Sequence, residues 1–73
     1  MNKERRKKLT EIINDLNTSK ESLEEVICEE DESRENMAVQ NENYEKSEEY
    51  SSQMEDASSS IEDAINALEE VIQ

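Results

Sequence analysis

Carboxylates are the residues of this chain with the most chemical potential, and their densest run is Glu29-Glu30-Asp31-Glu32. Hard cations favour oxygen ligands, so such a run first raises metal binding. Successive residues on a helix point in different directions, however, and the alternating ligands and turn glycine of a calcium loop are missing. The run reads as a solvated acidic face, not as a metal site. Catalysis is disfavoured by the same inventory. The sequence has no histidine and no glycine, hence no base tuned near neutral pH and no glycine-rich phosphate cradle. No nucleophile stands beside a plausible activator. A general acid needs a buried carboxyl with a raised pKa, and 73 residues do not build the necessary cleft. The expectation is a non-enzymatic protein with no catalytic residue, no metal and no cofactor.

Cys28 is the only cysteine and cannot form an internal disulfide. Its place next to Ile27 in a helical stripe makes it a small apolar filler. The opening Lys3-Glu4-Arg5-Arg6-Lys7-Lys8 is basic. It is followed by Glu11, Asn14 and Asp15 and not by an apolar run, so neither a signal peptide nor a membrane span is expected, and the default compartment is the cytoplasm.

The elements that must carry these residues follow from periodicity. Apolar residues recur at Leu9, Ile12/Ile13, Leu16, Leu23, Val26/Ile27 and Met37, a spacing near 3.5 residues. A second stripe runs through Tyr44, Tyr50, Met54, Ala57, Ile61, Ala64/Ile65, Leu68 and Val71/Ile72. Between them, Asn36 to Asn43 contains three asparagines, which tolerate turns and cap helices. The division is a basic head over 1–8, a first helix over 9–35, a turn over 36–43 and a second helix over 44–73. The fold class is all-α, an antiparallel two-helix hairpin of coiled-coil type.

Folding the chain at the turn sets Leu9 opposite Ile72, Ile13 opposite Leu68, Leu16 opposite Ile65, Leu23 near Ala57 or Ser58, and Ile27 opposite Met54. The core and dimer positions are then Leu9, Ile12, Ile13, Leu16, Leu23, Ile27, Met54, Ile61, Ile65, Leu68 and Ile72. Towards the turn the seam thins to Glu30, Tyr50, Met37 and Tyr44, which leaves a packed base and a polar tip. Thr18 with Glu21, and Ser60 with Asp63, have the spacing of capping boxes and mark possible helix starts. Continuous helices are the expectation, with a shared zone of small residues where the two sites meet. The apolar side chains are too few to close a core alone, so a self-partner, giving a four-helix bundle, or a target is expected.

Twenty acids against Lys20, Arg34 and Lys46 give residues 9–73 a net charge of −17. Displayed on rods, that density approaches the charge spacing of duplex DNA and would be steered to a basic groove. Acidity for solubility alone is the competing reading. The basic head sits unfavourably at a helix N-terminus, and its expected role is to neutralise Glu69 and Glu70 of the second helix. Direct binding of nucleic acid is not expected beside so much negative charge.

The runs Arg5-Arg6-Lys7-Lys8-Leu9, Glu29-Glu30-Asp31-Glu32, Glu35-Asn36-Met37, Tyr44-Glu45-Lys46 and Ser60 to Val71 together resemble a group of small acidic helical-hairpin proteins of Firmicutes and their phages. The group's pattern is a basic start, an acidic run, a short turn and a second helix rich in Glu, Ala, Ile and Leu. Ala38 stands where the group often has proline, and the turn is shorter, so the turn geometry does not carry over. The resemblance implies no activity. It implies a phage or mobile-element setting, in which small acidic proteins often inhibit host nucleases or immune effectors.

Three functions follow as expectations. The first is an inhibitor of a host protein with a basic nucleic-acid-binding surface, contacted through Glu29, Glu30, Asp31, Glu32, Glu35, Glu42, Tyr44, Glu45, Glu48, Glu49 and Tyr50, with the two tyrosines as anchors. The second is a homo-oligomeric helical bundle, most simply a homodimer. The third is a sponge for a small nucleotide signal at an oligomer interface, held by Arg5 and Arg6.

Overall fold

The computed structural model describes all residues from Met1 to Gln73 and consists of two long helices, α1 (Lys3–Glu35) and α2 (Glu42–Ile72), packed against each other as an antiparallel hairpin. It forms a rod of 57 × 15 × 12 Å. Each helix starts on an asparagine. The Asn2 side chain accepts from the Arg5 amide at 2.8 Å and Asn41 from the Asn43 amide at 2.9 Å, satisfying amides that have no partner within the helix. The intervening 36–41 segment needs no glycine, because no residue of the chain has a positive φ. Its backbone is closed by Met37 N–H to Arg34 C=O at 3.0 Å and Asn41 N–H to Ala38 C=O at 2.9 Å.

Helix α1 begins inside the basic head, six residues before the expected start at Leu9. With Leu9 level with Ile72, the head is a helical overhang of about 9 Å past the end of α2. That explains why it forms no ion pair with Glu69 or Glu70: the hairpin's ion pairs join Lys20 to Glu24, Lys20 to Glu62 and Arg34 to Asp31. The expected neutralisation by Glu69 and Glu70 is therefore corrected. Neither capping-box site starts a helix. Thr18 Oγ1 instead donates back to the Asn14 carbonyl at 3.1 Å, and α1 runs through it unbroken.

The seam follows a strict alternation of three and four residues. On α1 the inward positions are Leu9, Ile13, Leu16, Lys20, Leu23, Ile27, Glu30, Arg34 and, in the turn, Met37; on α2 they are Tyr44, Ser47, Ser51, Met54, Ser58, Ile61, Ile65, Leu68 and Ile72, all buried or half-buried. This is the heptad spacing of a coiled coil. Only Ile13, Ile27 and Ile65 among the apolar residues are buried, and none of them completely. The cross-helix contacts of Lys20 with Glu62, Asp31 with Ser51 and Arg34 with Ser47 run in the register that sets Ile13 level with Leu68.

Several inward positions differ from the expected set. Ile12 is 46% exposed and lies beside the seam, not in it. Tyr50 and Ala57 also face outward, their seam places being taken by Ser51 and Ser58. The reason is the period: one seam accepts two residues per heptad, about one per helical turn, so of each adjacent apolar pair only one can enter. Cys28 is exposed as well, which corrects its reading as an apolar filler.

Candidate functional site

The two flanks of the seam have opposite chemistry. On the first, α1 carries Glu24 and Asp31, and α2 carries Glu48, Glu55, Glu62 and Glu69, one per heptad in the row beside the seam. That these rows share a flank is fixed by Lys20, whose Nζ lies 3.1 Å from Glu24 and 3.3 Å from Glu62. It is fixed again by a shallow groove of about 450 Å³ lined by Glu24, Ile27, Cys28, Glu55, Ser58 and Ser59. The next row outward on α2 is Glu45, Ser52, Ser59 and Asn66, and Glu49, Asp56, Asp63 and Glu70 follow it on the back of the helix, away from the seam. The acid pairs at 48/49, 55/56, 62/63 and 69/70 thus form two rows about 100° apart, one on the flank and one on the back of α2, each with a step of about 10.5 Å per heptad. Helix α1 adds Glu24 and Asp31 to the flank and Glu25 and Glu32 to its own back.

Of the residues expected to make the contact surface, the structure brings Asp31 and Glu48 to this flank and sets Glu32 and Glu49 on the outward backs of their helices. Glu35, Glu42 and Glu45 stand exposed around the tip, and Glu29 points away from the acidic flank. Glu30 and Tyr44 are half-buried in the seam, and Tyr50 belongs to the other flank. The two tyrosines therefore do not form one anchor pair. Glu55, Asp56, Glu62, Asp63, Glu69 and Glu70 belong to the surface but escape a reading that stops at runs of adjacent acids. Their signal in the sequence is an acid pair recurring every seven residues.

Two cations lie beside the acidic flank, and both are engaged. Hydrogen bonds to Glu24 first and Glu62 second hold the Lys20 ammonium above its ordinary pKa. Near the tip, Arg34 Nη2 donates to Asp31 Oδ1 at 2.6 Å, while its Nη1 donates to Ser51 Oγ at 2.8 Å, to Ser47 Oγ at 3.2 Å and to the Ser47 carbonyl at 3.2 Å. Ser51 Oγ in turn donates to Asp31 Oδ1 at 2.8 Å. The Ser51 hydroxyl, and after it Arg34, hold the Asp31 carboxyl below its usual range. The guanidinium covers the two serines so fully that Ser47 is 2% exposed, less than any isoleucine of the core. No buried side-chain nitrogen or oxygen lacks a partner, and no three acidic or thiol side chains converge as a cation site.

The opposite flank carries Ile12, Ser19, Val26 and Ser33 from α1 and Tyr50, Ala57, Ala64 and Val71 from α2. In an antiparallel pair, once the rows on one side of the seam share a flank, the rows on the other side must share the opposite one. All eight of these residues are exposed and none is charged. Comparison with protein-family models, curated proteins and solved structures finds no match to the chain. No helix is long and apolar enough to cross a membrane.

Proposed function

We propose that the hairpin is a non-enzymatic, protein-binding inhibitor whose acidic side occupies the basic groove of a nucleic-acid-binding protein. The observation that carries this reading is the acid pair that recurs every seven residues on α2, lining its flank and its back. Eight acids from Glu48 to Glu70 span about 33 Å, or one per ~4 Å, against one phosphate per 3.4 Å along a single DNA strand. The acid rows are held on a straight rod, so little ordering is lost when a partner engages them. Lys20 and Arg34, the cations nearest to them, are already matched by carboxylates and do not compete for the partner. Such a surface draws a basic groove by long-range attraction and rejects nucleic acid itself. The resemblance to small acidic phage proteins supports a setting in the host cytoplasm, with a host nuclease or RNA-guided immune effector as the class of target.

The test is capture of a host protein by the tagged chain, compared with a variant carrying Glu48→Gln, Glu49→Gln, Glu55→Gln and Asp56→Asn. Capture is expected to be lost in this variant while helicity is kept, and retained when Arg5 and Arg6 are replaced by alanine. Capture lost in the Arg5 and Arg6 variant but kept in the acid variant would overturn the acidic side as the contact surface.

A second reading, a homo-oligomeric four-helix bundle, is supported by the uncharged flank and by a core of only three buried apolar residues. The two readings are compatible, since the acidic and uncharged flanks lie on opposite sides.

A further inference from the structure

We infer that the uncharged flank is the contact face for a second copy of this chain, packed antiparallel so that the basic head of each copy lies over the acidic tip of the other. This rests on the bundle reading above and adds to it the face and the direction.

The face is identified by what it exposes. Ile12, Val26, Tyr50 and Val71 are each 46% to 53% exposed, and of the large apolar side chains left open to water only Met1 and Val39 lie elsewhere. In a chain of which 40% is charged, the eight residues of this flank include no charge. A contiguous uncharged strip of that kind on a small rod marks an interaction surface. The uncharged rows, Ile12 to Ser33 and Tyr50 to Val71, run about 32 Å, which at a width of 15 Å offers roughly 480 Å²; the ~800 Å² per partner of a standard interface is reached once head and tip are included.

Self-association is indicated by the pattern within each row. On α2, Tyr50 and Val71 bracket Ala57 and Ala64; on α1, Ile12 and Val26 bracket Ser19, with Ser33 beyond them towards the turn. Each stretch reads large, small, large in either direction. A copy turned end over end therefore presents the same relief to the original, as a two-fold isologous contact requires, and the small residues at the middle let the backbones approach.

Charge sets the direction. Lys3 to Lys8 carry five cations against Glu4, whereas all other residues together carry −17. The head overhangs α2 and makes no ion pair within its own hairpin. A parallel pair stacks head on head and tip on tip, with like charges opposed at both ends. The antiparallel pair lays each head over the Glu29 to Glu35 stretch of the second copy and opposes unlike charges at both ends. It also leaves the acid rows of α2 on the outside of the bundle.

Sedimentation equilibrium of the full chain, together with electron–electron distance measurement on one spin label per copy, tests this. The label is placed on Asn36→Cys in a Cys28→Ser background, at the exposed turn. A dimer with labels about 45 Å apart is expected, whereas a parallel dimer brings them within about 20 Å. Ala57→Glu with Ala64→Glu is expected to weaken the dimer at least tenfold, while Ser52→Glu with Asn66→Glu, on the far side of α2, leaves it unchanged. A short label distance overturns the direction. A dimer indifferent to the Ala57 and Ala64 changes overturns the face but leaves the bundle reading standing. A chain that stays monomeric overturns both. The distance measurement leaves the flank unaltered, so it decides even if the glutamate variant unfolds.

Discussion

Arg34 on α1 and Ser51 on α2 meet at 2.8 Å across the seam, at positions where a coiled coil ordinarily places apolar side chains. With Asp31 and Ser47 they form a closed polar cluster that takes the place of apolar side chains in the last turns of the seam before the loop, beyond Ile27 and Met54. Slipping one helix past the other by a heptad would leave a guanidinium in the seam without its acceptors. The cluster therefore specifies register more than it adds stability, the role best attested for polar groups in helical seams.

A pH dependence follows from Asp31. Its carboxyl sits below the ordinary value of 3.8 because Ser51 and Arg34 hydrogen-bond the charged form. A depressed folded-state pKa contributes stability that is present above the unfolded value and lost as pH falls through the folded one. Asp31→Asn is thus expected to lower the melting temperature at pH 7, with the gap to the parent closing below about pH 3.8. Thermal melts by circular dichroism at pH 7 and pH 3 measure it. In Ser51→Ala the Asp31 carboxyl should titrate higher than in the parent, as followed by carbon NMR.

The apolar half of the seam carries the conventional core. Ile65 is 3% exposed, the most buried apolar residue of the chain. Ile65→Ala is expected to cost about 2–4 kcal/mol, the range for deleting a buried isoleucine side chain. Denaturant unfolding checks this, and a loss below about 1 kcal/mol would mean that the seam is looser than described.

Ser58 marks a place where the seam is underfilled. It occupies an inward position yet lines the groove beside Ile27 and Glu55. Ser58→Leu adds apolar surface to that groove and is expected to stabilise the hairpin by about 1 kcal/mol. The same substitution at Ser51 should destabilise, because it removes the partner that Arg34 and Asp31 share. Comparing the two midpoints in urea separates a seam position that merely tolerates serine from one that needs it.

The hairpin itself was legible because Leu9, Leu16, Leu23, Ile61 and Leu68 recur at helical spacing on both sides of an asparagine-rich turn. What escaped sequence reading was the division of labour between adjacent apolar residues. Ile12 beside Ile13 and Val26 beside Ile27 look like one broad stripe, although a two-helix seam admits only one of each pair and the other must form a second row. Arg34, Ser47 and Ser51 were missed for the complementary reason. They continue the three–four alternation, but apolar character was the signal followed, and polar seam residues carry none. On the acidic side, the run at 29 to 32 drew attention by adjacency, whereas the acid rows on α2 depend on a seven-residue repeat of acid pairs. The overhang of the head could not be read from composition, since it depends on where α2 ends relative to α1.

The central claim is that the acidic surface of α2 stands in for a nucleic-acid strand. The most direct measurement is to titrate the captured host partner on the immobilised hairpin with duplex DNA and with RNA at fixed, moderate salt. Progressive release of one nucleic-acid-binding partner, at nucleic-acid concentrations near that partner's own affinity, is the predicted result. A partner that stays bound at saturating nucleic acid, or the absence of any specific partner, would contradict the claim.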